Sequence, residues 1–235
     1  MSLIDMLGYD FKRSDGKREE AKRKQEKIAL ELICEGYEEF MQHTNRNMIP
    51  TEITDSYNPT KEQVLEFSRA LVRYKDLKDF ASDTADYLTA LMHSSRDKEF
   101  EIDLTELNKT GGTLDCLGYE LHGKKLTVNG DAGNGVGLWA KDSQITVNGG
   151  AGNGVGGGAK DSQITVNGNA GYNVGQDAKD SQITVNGNAG DDVGYVAKDS
   201  QIRIKGTYKS LSDEIGEGTE ICQMQNGIWV RVHPK

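Results

Sequence analysis

Residues 126–201 read LTVNGDAGNGVGLWAKDSQ, ITVNGGAGNGVGGGAKDSQ, ITVNGNAGYNVGQDAKDSQ and ITVNGNAGDDVGYVAKDSQ, one 19-residue unit in four tandem copies. A fixed period near 20 residues is typical of solenoid proteins, in which each repeat forms one coil. Each copy begins with the alternation of a β-strand, and its remainder holds too much glycine for a helix. One coil cannot bury its own apolar face, so we predict that the coils stack with their strands in register.

Stacking turns every repeat position into a column that runs along the solenoid. Two columns of β-branched residues are predicted to face inward from the strands, and three columns of smaller residues are predicted to fill the rest of a narrow core. The columns are Ile145/Ile164/Ile183/Ile202, Val147/Val166/Val185/Ile204, Ala132/Ala151/Ala170/Ala189, Val136/Val155/Val174/Val193 and Ala140/Ala159/Ala178/Ala197.

The glycines recur with the spacing G-x-x-G-x-x-x-G, and we predict a structural role for them at the coil corners. They are Gly130, Gly133, Gly137, Gly149, Gly152, Gly156, Gly168, Gly171, Gly175, Gly187, Gly190 and Gly194. Glycine adopts positive φ without strain and leaves no side chain against the next coil. A phosphate-binding loop instead needs one glycine cluster between a strand and a helix. Here the cluster occurs four times, and no helical pattern follows any copy.

The unit at residues 183–201, ITVNGNAGDDVGYVAKDSQ, resembles the repeat of the GXGXG β-helix domain. That domain forms the C-terminal part of the glutamate synthase large subunit and makes up most of one of the subunits of formylmethanofuran dehydrogenase. The resemblance covers residues 126–206 well, but Asp-Ser at 142–143 and its repeats replaces the Gly pair usual in the family. It implies a right-handed parallel β-helix that acts as a spacer without a reaction of its own.

Composition narrows the class of protein. A net charge of −9 argues against a general nucleic-acid or anionic-membrane surface, and no apolar run is long enough to span a membrane. Cys34, Cys116 and Cys222 are scattered, lack CxxC spacing and are expected to be reduced thiols. We therefore expect a cytoplasmic protein that binds no nucleic acid, membrane or cofactor.

Residues 1–98 predict a helical domain ahead of the solenoid. The apolar cluster at 1–11 is expected to pack on its own domain. A first helix is expected over 15–43, with Ser14 or Asp15 as its cap. Its apolar face is predicted to contain Ala21, Ile28, Leu32, Tyr37 and Met41. A polar connection at 45–60 precedes a second helix over 60–96, where T-K-E-Q fits a capping box. The fold class is therefore α+β, a helical hairpin followed by a parallel β-helix of 19-residue coils.

The second helix carries an apolar stripe of about 35 residues, or roughly 50 Å at helical rise. The stripe is a candidate surface for a protein partner or a second copy of the chain, although packing within the hairpin is equally compatible with it. It contains Val64, Phe67, Leu71, Tyr74, Leu77, Leu88 and Leu91.

Irregular segments are predicted at both ends of the repeats, within a β-helix domain over 99–235. Residues 99–125 are expected to form atypical first coils, because terminal repeats must block open strand edges. After Gly206 the sequence departs from the repeat, and residues 226–233, NGIWVRVH, predict a turn and a closing strand whose Trp229 covers the last coil.

Outward columns are the remaining places where the solenoid could bind something. Asp142/Asp161/Asp180/Asp199 and Lys141/Lys160/Lys179/Lys198 form neighbouring charged columns, and Thr127/Thr146/Thr165/Thr184 and Asn129/Asn148/Asn167/Asn186 form a polar array. A calcium row lacks D-x-D-G spacing, and Asp-Ser is better explained as a turn. Ice binding by the Thr column is a remote alternative, and so is ligand binding; amide stacking accounts for the Asn column equally well.

Catalytic motifs are absent from the sequence. His43, His93, His122 and His233 share no metal-binding spacing, there is no G-x-S-x-G elbow, and Cys116 with His122 is too slight a pair to indicate a nucleophile. We expect a non-catalytic scaffold or assembly protein whose helices mediate self-association or partner binding. The alternative is an accessory subunit of a glutamate synthase-like or formylmethanofuran dehydrogenase-like oxidoreductase complex.

Overall fold

The computed structural model describes residues 17–42 and 58–234, and within the first helix it describes the side chains of Lys24, Lys27 and residues 30–42. The predictions for the apolar cluster at 1–11, for the cap at Ser14 or Asp15 and for most of the 45–60 connection lie outside this part of the chain.

One eight-stranded sheet contains the strands in chain order. The strands are β1 (Glu99–Asp103), β2 (Lys125–Asn129), β3 (Gln144–Val147), β4 (Gln163–Val166), β5 (Gln182–Val185), β6 (Gln201–Ile204), β7 (Glu220–Gln225) and β8 (Ile228–His233). β1 to β7 pair in parallel, and β8 returns antiparallel to β7. Consecutive parallel strands joined by coils define a β-solenoid, which confirms the predicted fold of the repeats; its right hand remains a prediction.

The strand register follows the 19-residue period. Lys125 lies opposite Gln144, and the same offset continues through Gln163, Gln182 and Gln201 to Glu220. About five turns of the solenoid follow this period. The turn before them is longer, because Glu99 of β1 lies opposite Lys125 of β2. The extra residues of this turn include a short helix, Thr105–Asn108. It is labelled α4 because it follows the helices α1 to α3, which are described below. Residues 99–125 are thus the irregular first coil, as predicted.

In residues 17–42 and 58–98, three longer helices precede the solenoid: α1 (Lys17–Gln42), α2 (Lys61–Ala70), which continues as a 3-10 turn over Leu71–Arg73, and α3 (Phe80–Ser94). Thr60 caps α2 through the predicted capping box with Gln63. The prediction of one helix over 60–96 is wrong, because the chain turns between Arg73 and Phe80. Hydrogen bonds of turns, such as that from the Leu77 N–H to the Tyr74 carbonyl, replace the helical pattern there, and Asp79, with a left-handed φ of 57°, lies directly before α3.

The break brings both halves of the predicted stripe to one core. Buried members of the stripe are Val64, Phe67, Leu71, Leu88 and Leu91, whereas Tyr74 is half-buried and Leu77 is 42% exposed in the turn. The stripe therefore packs within the chain and is not a free interaction surface, which corrects that hypothesis. In α1 the buried side chains are Leu30, Ile33, Cys34 and Tyr37, whereas Leu32, predicted on the packed face, is 51% exposed.

A single apolar core joins the helices to the coils and extends from Leu30 to Ile221. α2 packs against β1, so the helices cover the first coil at one end of the solenoid. The predicted inward columns are buried except at Ala151, which is half-buried, and both β-branched strand columns are fully buried. The predicted domain boundary at residue 98 lies between α3 and β1, in a connection that shares this core.

Candidate functional site: the outer columns and the two ends of the solenoid

One glycine per coil is fixed by packing against isoleucine. Gly137, Gly156, Gly175 and Gly194 all have positive φ, between 66° and 80°. A Cβ atom at Gly156 would lie 2.6 Å from Ile183 Cδ1, and the equivalent contacts at the other three are 2.6 to 2.8 Å. A Cβ atom at any of these positions would force the isoleucine to shift, so these glycines make room for the isoleucine column.

The other repeat glycines lie against the backbone of the preceding coil. A Cβ atom added to Gly149 or Gly187 would lie 2.5 Å from a carbonyl oxygen of the preceding coil. A Cβ atom added to any other glycine of the set named next would lie within 3.0 Å of a main-chain atom. That set comprises Gly133, Gly149, Gly152, Gly168, Gly171, Gly187 and Gly190, while Gly130 has a φ of 100°. Their predicted structural role is consistent with these close approaches.

The Asp-Ser pair forms a corner in each coil. Asp142, Asp161, Asp180 and Asp199 have φ between 47° and 50°, and the equivalent residues of the first and last coils are Gly123 and Gly218, also with positive φ. Aspartate tolerates this left-handed region better than most residues. The interpretation of Asp-Ser as turn residues is therefore supported, and the turn accounts for the departure from a Gly pair.

The serines of these corners form a buried ladder. The Ser143 backbone N–H donates to Ser162 Oγ at 3.2 Å, and the pattern repeats up to Ser200, whose N–H donates to Thr219 Oγ1 at 3.4 Å. Ser162 Oγ in turn donates to the Lys160 carbonyl at 2.7 Å. Each hydroxyl thus satisfies a buried main-chain donor of the neighbouring coil.

The asparagines of the sheet form a second ladder on its outer face. The Asn148 amide donates to Asn129 Oδ1 at 2.7 Å, Asn167 donates to Asn148 at 3.0 Å and Asn186 to Asn167 at 2.8 Å. This arrangement supports the amide-stacking interpretation. Because one amide hydrogen and one carbonyl lone pair per residue are used internally, the column keeps only part of its hydrogen-bonding capacity for a ligand.

The threonine column is partly exposed beside the asparagine ladder and ends at Arg203, which takes the threonine position in β6. The neighbouring lysine column is joined coil to coil by main-chain bridges, and its side chains are exposed. The outer face is therefore a regular polar surface. Among the residues that the structure describes, no group of three or more His, Cys, Asp or Glu residues could hold a metal ion. The ice-binding hypothesis remains a prediction.

Lys124 joins the helices to the first coil. Its buried ammonium donates to the carbonyl oxygens of Ser95 at 2.8 Å and Asp97 at 2.7 Å, and it lies 5.4 Å from the centre of the Phe100 ring. Burial lowers the pKa of Lys124. No sequence signal indicates this contact, because a Gly-Lys-Lys turn normally has exposed amines.

Two of the cysteines, Cys34 and Cys116, have surroundings that disfavour the thiolate. Burial raises the pKa of the Cys34 thiol to about 11. Burial, followed by the nearby Asp115 and Asp86 carboxylates, raises the pKa of Cys116. A thiolate nucleophile needs the opposite shift. His122, weighed as a partner for Cys116, contacts other groups: its backbone N–H donates to His93 Nε2 at 3.3 Å, and its ring lies 3.4 Å from Asp142.

At the far end of the solenoid, the 19-residue period continues for one coil beyond the part that the sequence indicates. The sequence predicts a departure from the repeat after Gly206, but Ile221 still pairs with Ile202, and Thr219 takes the serine position. Beyond it, Asn226 and Gly227 form the predicted turn, both with positive φ. β8 is the predicted closing strand, and Trp229 is 37% exposed, with the Arg203 guanidinium 5.8 Å from its ring centre.

No protein-family model, curated protein or solved structure matches the chain. The resemblance to the GXGXG β-helix domain therefore remains a prediction. No helix in the described ranges has the length and apolarity needed to cross a bilayer.

Proposed function

We propose that this protein is a non-catalytic scaffold or assembly protein in which the β-solenoid is the rigid body. The observation that carries the proposal is the continuity of the body. One core extends from the helices to Ile221, and main-chain, serine and asparagine hydrogen bonds join each coil to the next. A body of this kind holds its two ends at a fixed separation, because each coil is ordered by the one before it.

The ends of the solenoid differ from the repeats and provide the surfaces for association. At the first end, α1 exposes Leu32, Glu35 and Glu39 on the side away from the core, and Leu77 is exposed in the turn before α3. Since the predicted stripe is buried, association through the helices uses this outer side of α1.

A comparison of surface variants tests this role. Full-length tagged protein is isolated from its native source under mild conditions, and the mass of the assembly is measured for the wild type, for Leu32→Glu and for Gln163→Glu. We expect the Leu32→Glu exchange to remove a bound chain, because it places a charge in an apolar contact. Gln163 is an exposed residue in the middle of the sheet and serves as the control.

An assembly that is unchanged by Leu32→Glu would contradict association through α1. The same experiment distinguishes the accessory-subunit role that the resemblance implies. Stoichiometric co-purification of a flavin- or metal-containing oxidoreductase would support that role, whereas an assembly of this chain alone would support a self-associating scaffold.

A further inference from the structure

The sheet is blocked at its first edge. α2 packs against β1, and Ser68 Oγ accepts the Asp103 backbone N–H at 2.9 Å. Just before β1, the carboxylate of Asp97 accepts the Lys61 backbone N–H at 2.8 Å. Helices and side-chain acceptors of this kind prevent an edge strand from pairing with another chain.

Among the residues that the structure describes, no strand pairs with the other edge of the sheet. β8 is the last strand in the sheet order, and at its start Ile228 is 69% exposed while Trp229 and Val230 are each 37% exposed. These three residues include neither a charge nor a proline, the usual means of protecting an edge. Ile228 and Val230 lie opposite Gln225 and Gln223, on the face that looks inward in the preceding coils. They are exposed because no further coil in the described chain encloses them.

We propose that β8 is the interface for a second copy of this chain, which pairs its own β8 antiparallel across a two-fold axis. A head-to-tail arrangement would require β8 to pair with β1 of the next copy, and that edge is covered by α2. A two-fold arrangement uses only the open edge of each copy, and it closes after two chains.

The residues of β8 select one register. Directly opposed residues in an antiparallel pair must lie on the same face of the sheet, so the axis passes through a residue. An axis at Val230 places Val230 against its own copy, Ile228 against Val232 on the inward face and Trp229 against Arg231 on the outward face. An axis at Val230 or Arg231 pairs five of the six residues of β8 in each copy, more than any other axis does. Of these two, the axis at Arg231 would oppose two guanidinium groups, which is unfavourable.

On the outward face, each Arg231 brings its own counter-charge to the contact with Trp229. Arg231 is already paired with Glu220, and Trp229 already lies against Arg203. The two-fold pairing adds a second arginine to each indole, and stacking of guanidinium on indole is favourable. On the inward face, Ile228 and Val230 of one copy cover the open end of the other core.

This inference rests on the self-association branch of the proposed function. The β8 interface and the association through α1 can be contradicted independently. Loss of the β8 interface would leave association through α1 unchanged, and loss of the α1 contact would leave the β8 pair intact.

The test measures the solution mass of purified full-length protein from about 1 µM to about 100 µM, a range that detects moderate and weak dimers. The wild type is expected to dimerise with increasing concentration. Val230→Lys and Val230→Glu are each expected to shift the dissociation constant at least tenfold upward, because each opposes two like charges at the axis. An equal mixture of the two is expected to restore the dimer. Gln182→Lys, an exposed change in the middle of the sheet, is the matched control.

Tryptophan emission gives an independent readout. The chain has two tryptophans, so Trp139→Phe leaves Trp229 as the reporter, and its emission is expected to shift to shorter wavelength as the dimer forms. Far-ultraviolet circular dichroism establishes that each variant is folded. A wild type that stays monomeric at about 100 µM overturns the proposal. So does a dimer that survives Val230→Lys in a chain that also carries Leu32→Glu, which removes association through α1, and so does a mixture of the two Val230 variants that remains monomeric.

Discussion

Gly156 packs against Ile183, and a Cβ atom at this glycine would come 2.6 Å from Ile183 Cδ1. Gly156→Ala is therefore expected to cost about 1 to 2 kcal/mol for a left-handed alanine and about 1 to 3 kcal/mol more for overpacking. Gly154→Ala is the matched control, because Gly154 has nearly the same φ, 69° against 67°, and a Cβ atom there would have nothing within 4 Å. Urea unfolding measures both.

Removing Ile183 Cδ1 separates the cost of overpacking from the cost of a left-handed alanine. In an Ile183→Val background, most of the excess cost of Gly156→Ala over Gly154→Ala should disappear, since the nearest atom is gone and the remaining contacts, to Ile164 Cδ1 and Ile183 Cγ1, are 3.2 Å. Equal costs for the two alanine variants in the wild-type background would show that packing against Ile183 does not fix this glycine.

Lys124→Ala is expected to destabilise the contact between the helices and the first coil, because it leaves the Ser95 and Asp97 carbonyls without their buried donor. Hydrogen bonds from charged groups contribute about 1.5 to 3 kcal/mol each, but the cost of burying the ammonium offsets part of that. We expect a net loss on the order of 2 kcal/mol, measured by thermal unfolding. Lys160→Ala, in the exposed lysine column, should have almost no effect, and a similar loss in both would contradict the junction role.

Ser162→Ala removes the acceptor of the Ser143 N–H from the buried ladder. An unsatisfied buried donor costs about 1 to 3 kcal/mol, and this loss is expected in the free energy of unfolding. Ser162→Thr should retain most of the stability, because Thr219 performs the same role at the last coil. Gln163→Ala, at the exposed neighbouring position, is the control. A Ser162→Ala protein as stable as wild type would show that the ladder contributes little.

Asp103 links β1 to α2 in a pH-dependent way. Burial favours its neutral form, but hydrogen bonds from Thr105 and Arg69 outweigh this and lower the pKa of Asp103 below 3.8. A carboxylate whose folded pKa is depressed contributes stability above its unfolded pKa and loses it as the pH falls through the folded value. The stability difference between wild type and Asp103→Asn should therefore be constant above about pH 5 and shrink below about pH 4. A difference independent of pH would contradict this link.

The repeats could be predicted from the sequence because each inward position is repeated at a fixed interval. The last coil is not evident from the sequence because few of its residues match the unit. In the structure, Ile221 and Thr219 take the inward and serine positions of that coil, and Tyr208 and Leu211 form bridges to Ala189 and Val193 of the coil before it.

The helical part was less predictable for a physical reason. An apolar spacing of three and four residues continues through residues 64–91, but it does not show that the helix is interrupted between Arg73 and Phe80. The interruption is a backbone property of the turn, and the apolar spacing is the same whether the stripe faces a partner or packs within the chain. The open edge at β8 was equally unpredictable, because the exposure of Ile228 and Val230 depends on where the coils end.

The mass of the assembly formed by full-length protein isolated from its native source, measured by light scattering, tests the scaffold role most directly. We predict a species heavier than the 25.8 kDa chain, either a dimer or a stoichiometric complex with another protein. A single species of 25.8 kDa at every concentration, with no bound partner, would contradict the scaffold role.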